Sequence, residues 1–295
     1  MLRVLFVNNF DHPDYLSNCV YIGLTLREDI DIHTYCIPSI LFKGIGWNET
    51  MTLNSRYPKE SGPPGFFVSG KIEKAPHVDT PMKTLLKVQE KYYDKIIWGN
   101  IWRDRFYLED AYKAGYKRED MIALDGEDFQ DGLDQISKET SYFKREIYED
   151  LENDENFRPI SFGIPDFLLY QKMPIKRKTL ATIIPGDKST YIFDNEDSYL
   201  KDYRDSYFGK TIKKGGWDCL RHYEILSSRC IPYFPEIENC PKKTLANFPK
   251  EIIEYTNSYA KDNKIPQDYN KINLELYQHC QKHLTCSQLI NQIFL

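Results

Sequence analysis

The stretch Lys213-KKGGWDCLRHYEILSSRCIPYF-Phe234 reads as loop, helix, turn and strand. Two lysines and two glycines lead into a segment of helical spacing from Trp217 to Ser228, and an apolar strand follows over Cys230–Phe234. Gly215 and Gly216 let backbone approach a ligand closely. The start of the predicted helix offers unpaired N–H groups and a positive dipole end. With Lys210, Lys213 and Lys214 nearby, this is an anion-binding pattern. Arg221 and Glu224 stand three apart and share a helix side. Arg221 suits a phosphate, bound bidentately, and Glu224 suits the neighbouring hydroxyls of a ribose. A carboxylate beside an anion site fits a nucleotide, which has a charged end and a diol end. The plainer alternative is a surface Arg221–Glu224 ion pair, worth a few tenths of a kcal/mol.

The rest of the chain repeats that rhythm. Residues 2–7 form a continuous apolar run, as in a strand buried on both faces of a parallel sheet. Leu16–Arg27 has helical spacing and Ile30–Cys36 reads as a strand, which makes an α/β beginning. Residues 37–80 contain "YPKESGPPGFFVSG", have no clear period, and read as an irregular insertion. Helix and strand signals then alternate: Thr80–Tyr93, Tyr93–Trp98, Arg105–Ala114 and Met121–Leu124, with short strands at Tyr142–Lys144 and Ile160–Phe162. The character changes over Pro165–Pro174. A second series follows, with a strand over Leu180–Ile184, a helix over Asp197–Phe208, the quoted stretch, and a mostly helical tail from Pro249. The expected division is 1–168 and 169–295, two α/β halves in tandem, each with a mainly parallel sheet. Ligands of such sheets bind beyond the carboxyl ends of the strands, and facing halves form a cleft.

Composition supports a packed globular chain: 295 residues, 41% hydrophobic and 28% charged. A net charge of −5 argues against general nucleic-acid binding. No run approaches the ~18 apolar residues of a membrane span, and the first run breaks at Asn8, too short for a signal core. The seven cysteines form no CxxC pair, which suits reduced thiols and a cytoplasmic protein. His279 and His283 share a helix face but have no evident third partner, so no metal site is expected there.

A second loop strengthens the nucleotide reading. "IIPGDKSTYIF" places Gly186, Lys188, Ser189 and Thr190 just after an apolar run, where a parallel sheet presents its ligand loops. Its spacing is not that of a Walker A loop.

Together, "HPDYLSNCVYIGL", "SYFKRE", "IIPGDKSTYIF" and "KKGGWDCLRHYEIL" resemble GT-B-fold glycosyltransferases, in particular the exostosin-like and spore-coat-type relatives found in bacteria and large viruses. The resemblance spans most of residues 1–250 and is most specific over 210–234. It implies two compact Rossmann-like domains facing a cleft, with acceptor on the N-terminal side and nucleotide-sugar on the C-terminal side. It implies that Glu224 binds the donor ribose. Arg221, Lys188, Ser189, Thr190, Lys214 and the Gly215–Gly216 amides would hold the diphosphate. The nucleotide-sugar is then a substrate, and neither a cofactor nor a metal is expected, because positive side chains and a helix dipole stabilise the leaving group. Many retaining members carry a second Glu eight residues from the signature Glu. Here those positions are Gly216 and Pro232, so an inverting mechanism is preferred.

An inverting transfer needs a base for the acceptor hydroxyl. Asp14 and His12, in the loop after the first strand, are the favoured pair, the imidazole because it titrates near neutral pH. Asp14 is equally suited to cap the helix that begins at Tyr15. The "DGED" loop, Asp125–Asp128, offers further carboxylates and also reads as a polar turn. Arg145 suits a donor phosphate or an acidic acceptor, or else an ion pair with Glu146 or Glu149. The acceptor is a glycan or another hydroxyl compound. Two other readings compete: a non-catalytic GT-B-like module that binds nucleotide or glycan, and a glycosyltransferase acting on a DNA base.

Overall fold

The computed structural model describes residues 1–8, 14–36, 41, 71–72 and 76–295. The insertion expected over 37–80 and the loop residues Asp11 and His12 therefore lie largely outside the described residues.

The first apolar run is the centre of a parallel sheet. Strand β1 (Leu2–Val7) pairs with β2 (Ile30–Thr34) on one side and β4 (Lys95–Trp98) on the other. The short β3 (His77–Val78) extends β2. Beyond β4 come β5 (Met121–Asp125), β6 (Ser141–Lys144) and β7 (Phe157–Pro159). The seven strands run in the order β3-β2-β1-β4-β5-β6-β7. Side chains alternate across such a strand. Val4 and Phe6 accordingly join one apolar layer, while Leu5 and Val7 join the other. The chain order turns back between β1 and β4, so the crevice beyond their carboxyl ends is a topological switch point. Helices α1 (Tyr15–Thr25), α2 (Pro81–Gln89), α3 (Leu108–Lys113) and α4 (Asp134–Glu139) alternate with these strands.

The second sheet is smaller. Strands β8 (Lys178–Leu180), β9 (Ser206–Lys210) and β10 (Ile231–Tyr233) are all parallel, in the order β10-β9-β8. Helix α5 (Glu196–Arg204) links the first two and α6 (Leu220–Ser227) the last two. Helices α7 (Lys250–Lys261) and α8 (Tyr269–His279) follow, and a π-helical turn at Cys280–Leu284 leads into α9 (Cys286–Ile293). The last helix returns to the first half. A Cβ at Gly23 of α1 would lie 2.3 Å from the Cys286 carbonyl oxygen, and Ile164 bridges to Thr285. One apolar layer runs from Val4 and Phe6 to Phe208, Tyr223 and Phe234, and so joins both halves.

Four expected elements move. The strand expected at Ile160–Phe162 lies at Phe157–Pro159, with Pro159 tolerated because β7 is an edge strand. The strand expected at Leu180–Ile184 lies at Lys178–Leu180. The helix expected over Asp197–Phe208 ends at Arg204, and Ser206–Lys210 is the central strand of the second sheet. The helix expected from Trp217 starts at Leu220, with Cys219 in extended conformation at its N-cap. Among the described residues no helix is long and apolar enough to cross a membrane.

Candidate functional site

At the switch point of the first sheet, polar side chains bond to one another. Asp14 is the N-cap of α1, where its Oδ1 accepts from the Ser17 amide at 2.8 Å. Its Oδ2 accepts from Asn100 Nδ2 at 2.6 Å. The same Asn100 amide donates to Glu127 Oε1 at 2.8 Å, and Arg103 Nε pairs with that oxygen at 2.6 Å. Burial raises the Asp14 pKa above the ordinary carboxylate range, against the pull of the Ser17 amide, Asn100 and Arg103. One strand over, Asp125 is fully buried against Lys144 at 3.0 Å and accepts from the Tyr142 hydroxyl at 2.8 Å. These contacts bring Asp14 and the "DGED" loop into one cluster: a Cβ at Gly126 would stand 3.0 Å from Asp14 Oδ2.

Arg145 joins the halves. It is buried at the end of β6. Nη1 donates to Glu146 Oε1 at 2.7 Å and to the Asp218 carbonyl at 2.6 Å. Nε donates to the Gly126 carbonyl at 3.1 Å, Nη2 pairs with Asp128, and the guanidinium lies 4.8 Å above the Phe162 ring. Glu146, the partner anticipated for Arg145, also accepts from the Asp218 amide at 2.9 Å. Asp218 holds the Phe162 amide at 2.9 Å and the Tyr223 hydroxyl at 2.8 Å. Burial first, and Glu146 further, push the Asp218 carboxyl up to about 7 despite the Arg145 charge.

The glycine loop packs against these acids. A Cβ at Gly216 would lie 2.3 Å from Glu146 Oε1, and one at Gly215 2.2 Å from Asp128 Oδ2. The two glycines thus permit close approach, and what approaches in this structure is a pair of carboxylates from the other half. Lys214 is exposed, while Lys213 lies 4.9 Å above the Trp217 ring.

Arg221 and Glu224 lie on α6, beyond the carboxyl end of β9. Glu224 is 6% exposed. Its Oε2 accepts a short hydrogen bond from the Tyr199 hydroxyl on α5. Burial raises its pKa, with Tyr199 and Arg221 opposing. Arg221 stacks 5.7 Å from the Tyr191 ring. Its Nε is buried and has no hydrogen-bond partner among the described residues. A buried charged donor left unpaired is costly and uncommon in folded proteins. No ion pair joins Arg221 to Glu224 among the described residues, so the simple surface pair is not what forms. Tyr191 ends the second candidate loop, and its hydroxyl accepts from the Gly186 amide at 3.2 Å. Through Tyr191 that loop and α6 therefore meet. Lys188 and Ser189 are exposed on it, while Asp187 holds the Ser189 amide at 3.0 Å and Thr190 Oγ1 donates to the Asp187 carbonyl at 2.7 Å.

Sequence reasoning missed three members of this region. Tyr199 holds Glu224 from 25 residues away, and Asp218 ties the halves through Phe162. His222 is buried, with Nε2 donating to the Trp217 carbonyl and Nδ1 accepting from Thr211 Oγ1, both at 2.8 Å. Burial drives its pKa down to about 3, so it is a neutral brace for the glycine loop. The helical spacing of "EDSYLKDYR" was the signal available for Tyr199; the other two contacts carry no local signature.

No family model matches the sequence, and no curated protein matches it. Solved structures resemble the fold. HepE from Anabaena, in complex with UDP and glucose, aligns with a TM-score of 0.50 at 9% identity, covering 99% of this chain and 98% of its own. The same protein in complex with UDP-glucose gives 0.49 at 10% identity, and MurG from Acinetobacter baumannii gives 0.43 at 7%, each covering 99% of this chain and 98% of that chain. With a seven-stranded and a three-stranded parallel sheet that share one apolar layer, the chain has a GT-B-like α/β fold.

Proposed function

We propose that this chain is a glycosyltransferase that moves a sugar from a nucleotide-sugar to a hydroxyl acceptor, such as a glycan. The observation that carries the reading is the Arg221–Glu224 pair. A half-buried guanidinium, whose buried Nε has no partner among the described residues, stands beside a buried carboxylate held by Tyr199. Phosphate oxygens suit the first and a ribose diol the second. The GT-B-like fold supports it, as does HepE, whose structures hold UDP, glucose and UDP-glucose.

In this reading residues 169–295 carry the donor and residues 1–168 face the acceptor, with the last helix braced on α1. Glu224 holds the ribose. Arg221, Lys188, Ser189, Thr190, Lys214 and the Gly215 and Gly216 amides hold the diphosphate, with no metal in the chemistry. Asp128 must leave the glycine loop when the diphosphate arrives, since like charges repel there. Arg145, released from Asp128, then faces the same phosphates. Chemistry proceeds by inversion: the acceptor oxygen attacks the anomeric carbon, the bond to the phosphate oxygen breaks, and a base takes the hydroxyl proton. Asp14 and His12 remain the proposed bases. Asp128 joins them, because its side chain is half exposed and already faces the donor loop. The protein is proposed to work in the cytoplasm.

The test is release of nucleoside diphosphate from UDP-, GDP-, ADP- and dTDP-sugars, with and without oligosaccharide acceptors. Turnover with one donor, abolished by Glu224→Ala, supports the reading. Nucleotide binding without release would make the chain a non-catalytic nucleotide- or glycan-binding module.

A further inference from the structure

Away from Arg221 and Glu224, at the edge of the first sheet, His33 in β2, His77 in β3 and Asp79 just after β3 place one ligand atom each within 4.8 Å of one another. His33 and His77 are register partners on the two strands, and the Asp79 amide donates to the Thr34 carbonyl at 2.9 Å. His33 is 4% exposed and Asp79 3%. His33 Nε2 lies 3.0 Å from Asp31 Oδ2, so that nitrogen carries the ring proton. Nδ1 is then an acceptor. It is buried, has no hydrogen-bond partner among the described residues, and stands 3.6 Å from Asp79 Oδ2, itself an acceptor. Two lone pairs face each other across that gap.

We propose that His33 Nδ1, His77 Nε2 and the Asp79 carboxylate bind one divalent transition-metal ion of the zinc class. His77 Nε2 is 3.2 Å from Asp79 Oδ1. Bonds of ~2.0–2.1 Å in a tetrahedron set ligand atoms about 3.3 Å apart, and the 3.2 Å between His77 Nε2 and Asp79 Oδ1 is close to that edge. The Asp31 contact supplies the carboxylate that orients a metal-bound imidazole. Three protein ligands leave a fourth position for water. Lys83 and Lys87 also reach Asp79, at 2.7 and 2.5 Å. Lys83 is 56% exposed and swings into solvent when the ion enters, while Lys87 keeps its place on Oδ2. Bound there, the ion clips β3 and the start of α2 to β2. Clips that close a long connection limit the freedom of the unfolded chain.

The experiment uses the full chain, stripped with chelator and desalted, titrated with Zn2+ by calorimetry and with Co2+ by visible absorption. The expected result is one ion per chain, with tetrahedral Co2+ bands and a raised melting temperature. His77→Ala, at an exposed position that leaves the fold intact, should weaken binding at least tenfold and remove the bands. His279→Ala should change neither. Absence of one-to-one binding, binding indifferent to His77→Ala, or binding lost in His279→Ala overturns the proposal, the last by placing the ion on the His279–His283 pair.

Discussion

The two sheets end differently at their carboxyl edges. Around β1, β4 and β5 the polar groups bond to each other: Asp14 to Ser17 and Asn100, Glu127 to Asn100 and Arg103, Asp125 to Lys144 and Tyr142. Beyond β9 the arrangement is incomplete. Glu224 has Tyr199, yet the Arg221 beside it keeps a buried Nε with no acceptor among the described residues. A folded chain tolerates an unpaired buried donor where something else supplies the partner. The polar groups of the first edge are thus held by one another while the second leaves a donor for a ligand, and the seam at Arg145 couples them.

Substitutions test that contrast directly. Lys144→Met should cost the most, about 3–5 kcal/mol, because it leaves the Asp125 carboxylate in a dry site with the Tyr142 hydroxyl but without its counter-charge. Urea unfolding measures it; a loss below 1 kcal/mol would mean the pair is not what stabilises that edge. Gly216→Ala comes next, at about 1–3 kcal/mol, since the new methyl meets the buried Glu146 carboxylate at 2.3 Å. The same melts report it, and an unchanged stability would show that the seam is looser than described. Arg221→Met should cost no more than about 1 kcal/mol, the scale of its stacking on Tyr191. A larger loss would place Arg221 among the structural residues.

A further effect is a slope. Asp218 is raised to about 7, chiefly by burial. The folded chain therefore keeps a proton that the unfolded chain releases near pH 4. The stability this gives is fully present below the unfolded value and is lost as pH rises through about 7. Melting temperature should fall across that window, and Asp218→Asn should flatten the fall. An identical profile in the variant would place the titration elsewhere.

What the sequence made legible follows from local signals. Continuous apolar runs mark β1, β4, β5 and β6, and Asp14 before Tyr15 marks a cap that does form. β9 was hidden because Tyr203 and Phe208 prolong the helical spacing of α5 past its true end at Arg204. β7 was displaced because Ile160 and Phe162 are buried without joining a strand, while Phe157-Arg-Pro carries no apolar run. At the site, the Arg221 and Glu224 spacing was readable. The use of Gly215 and Gly216 to seat Asp128 and Glu146 was not, since it joins positions some 70–90 residues apart and depends on how the halves dock.

The central claim is that Arg221 and Glu224 await a nucleotide. The direct measurement is the shift in unfolding free energy with UDP, GDP, ADP, CMP and dTDP, for wild type, Arg221→Met and Glu224→Ala. One nucleotide, at 100 times its dissociation constant, should stabilise wild type by about 2.7 kcal/mol and leave both variants unmoved. No shift with any nucleotide, or an equal shift in wild type and variants, would contradict the account.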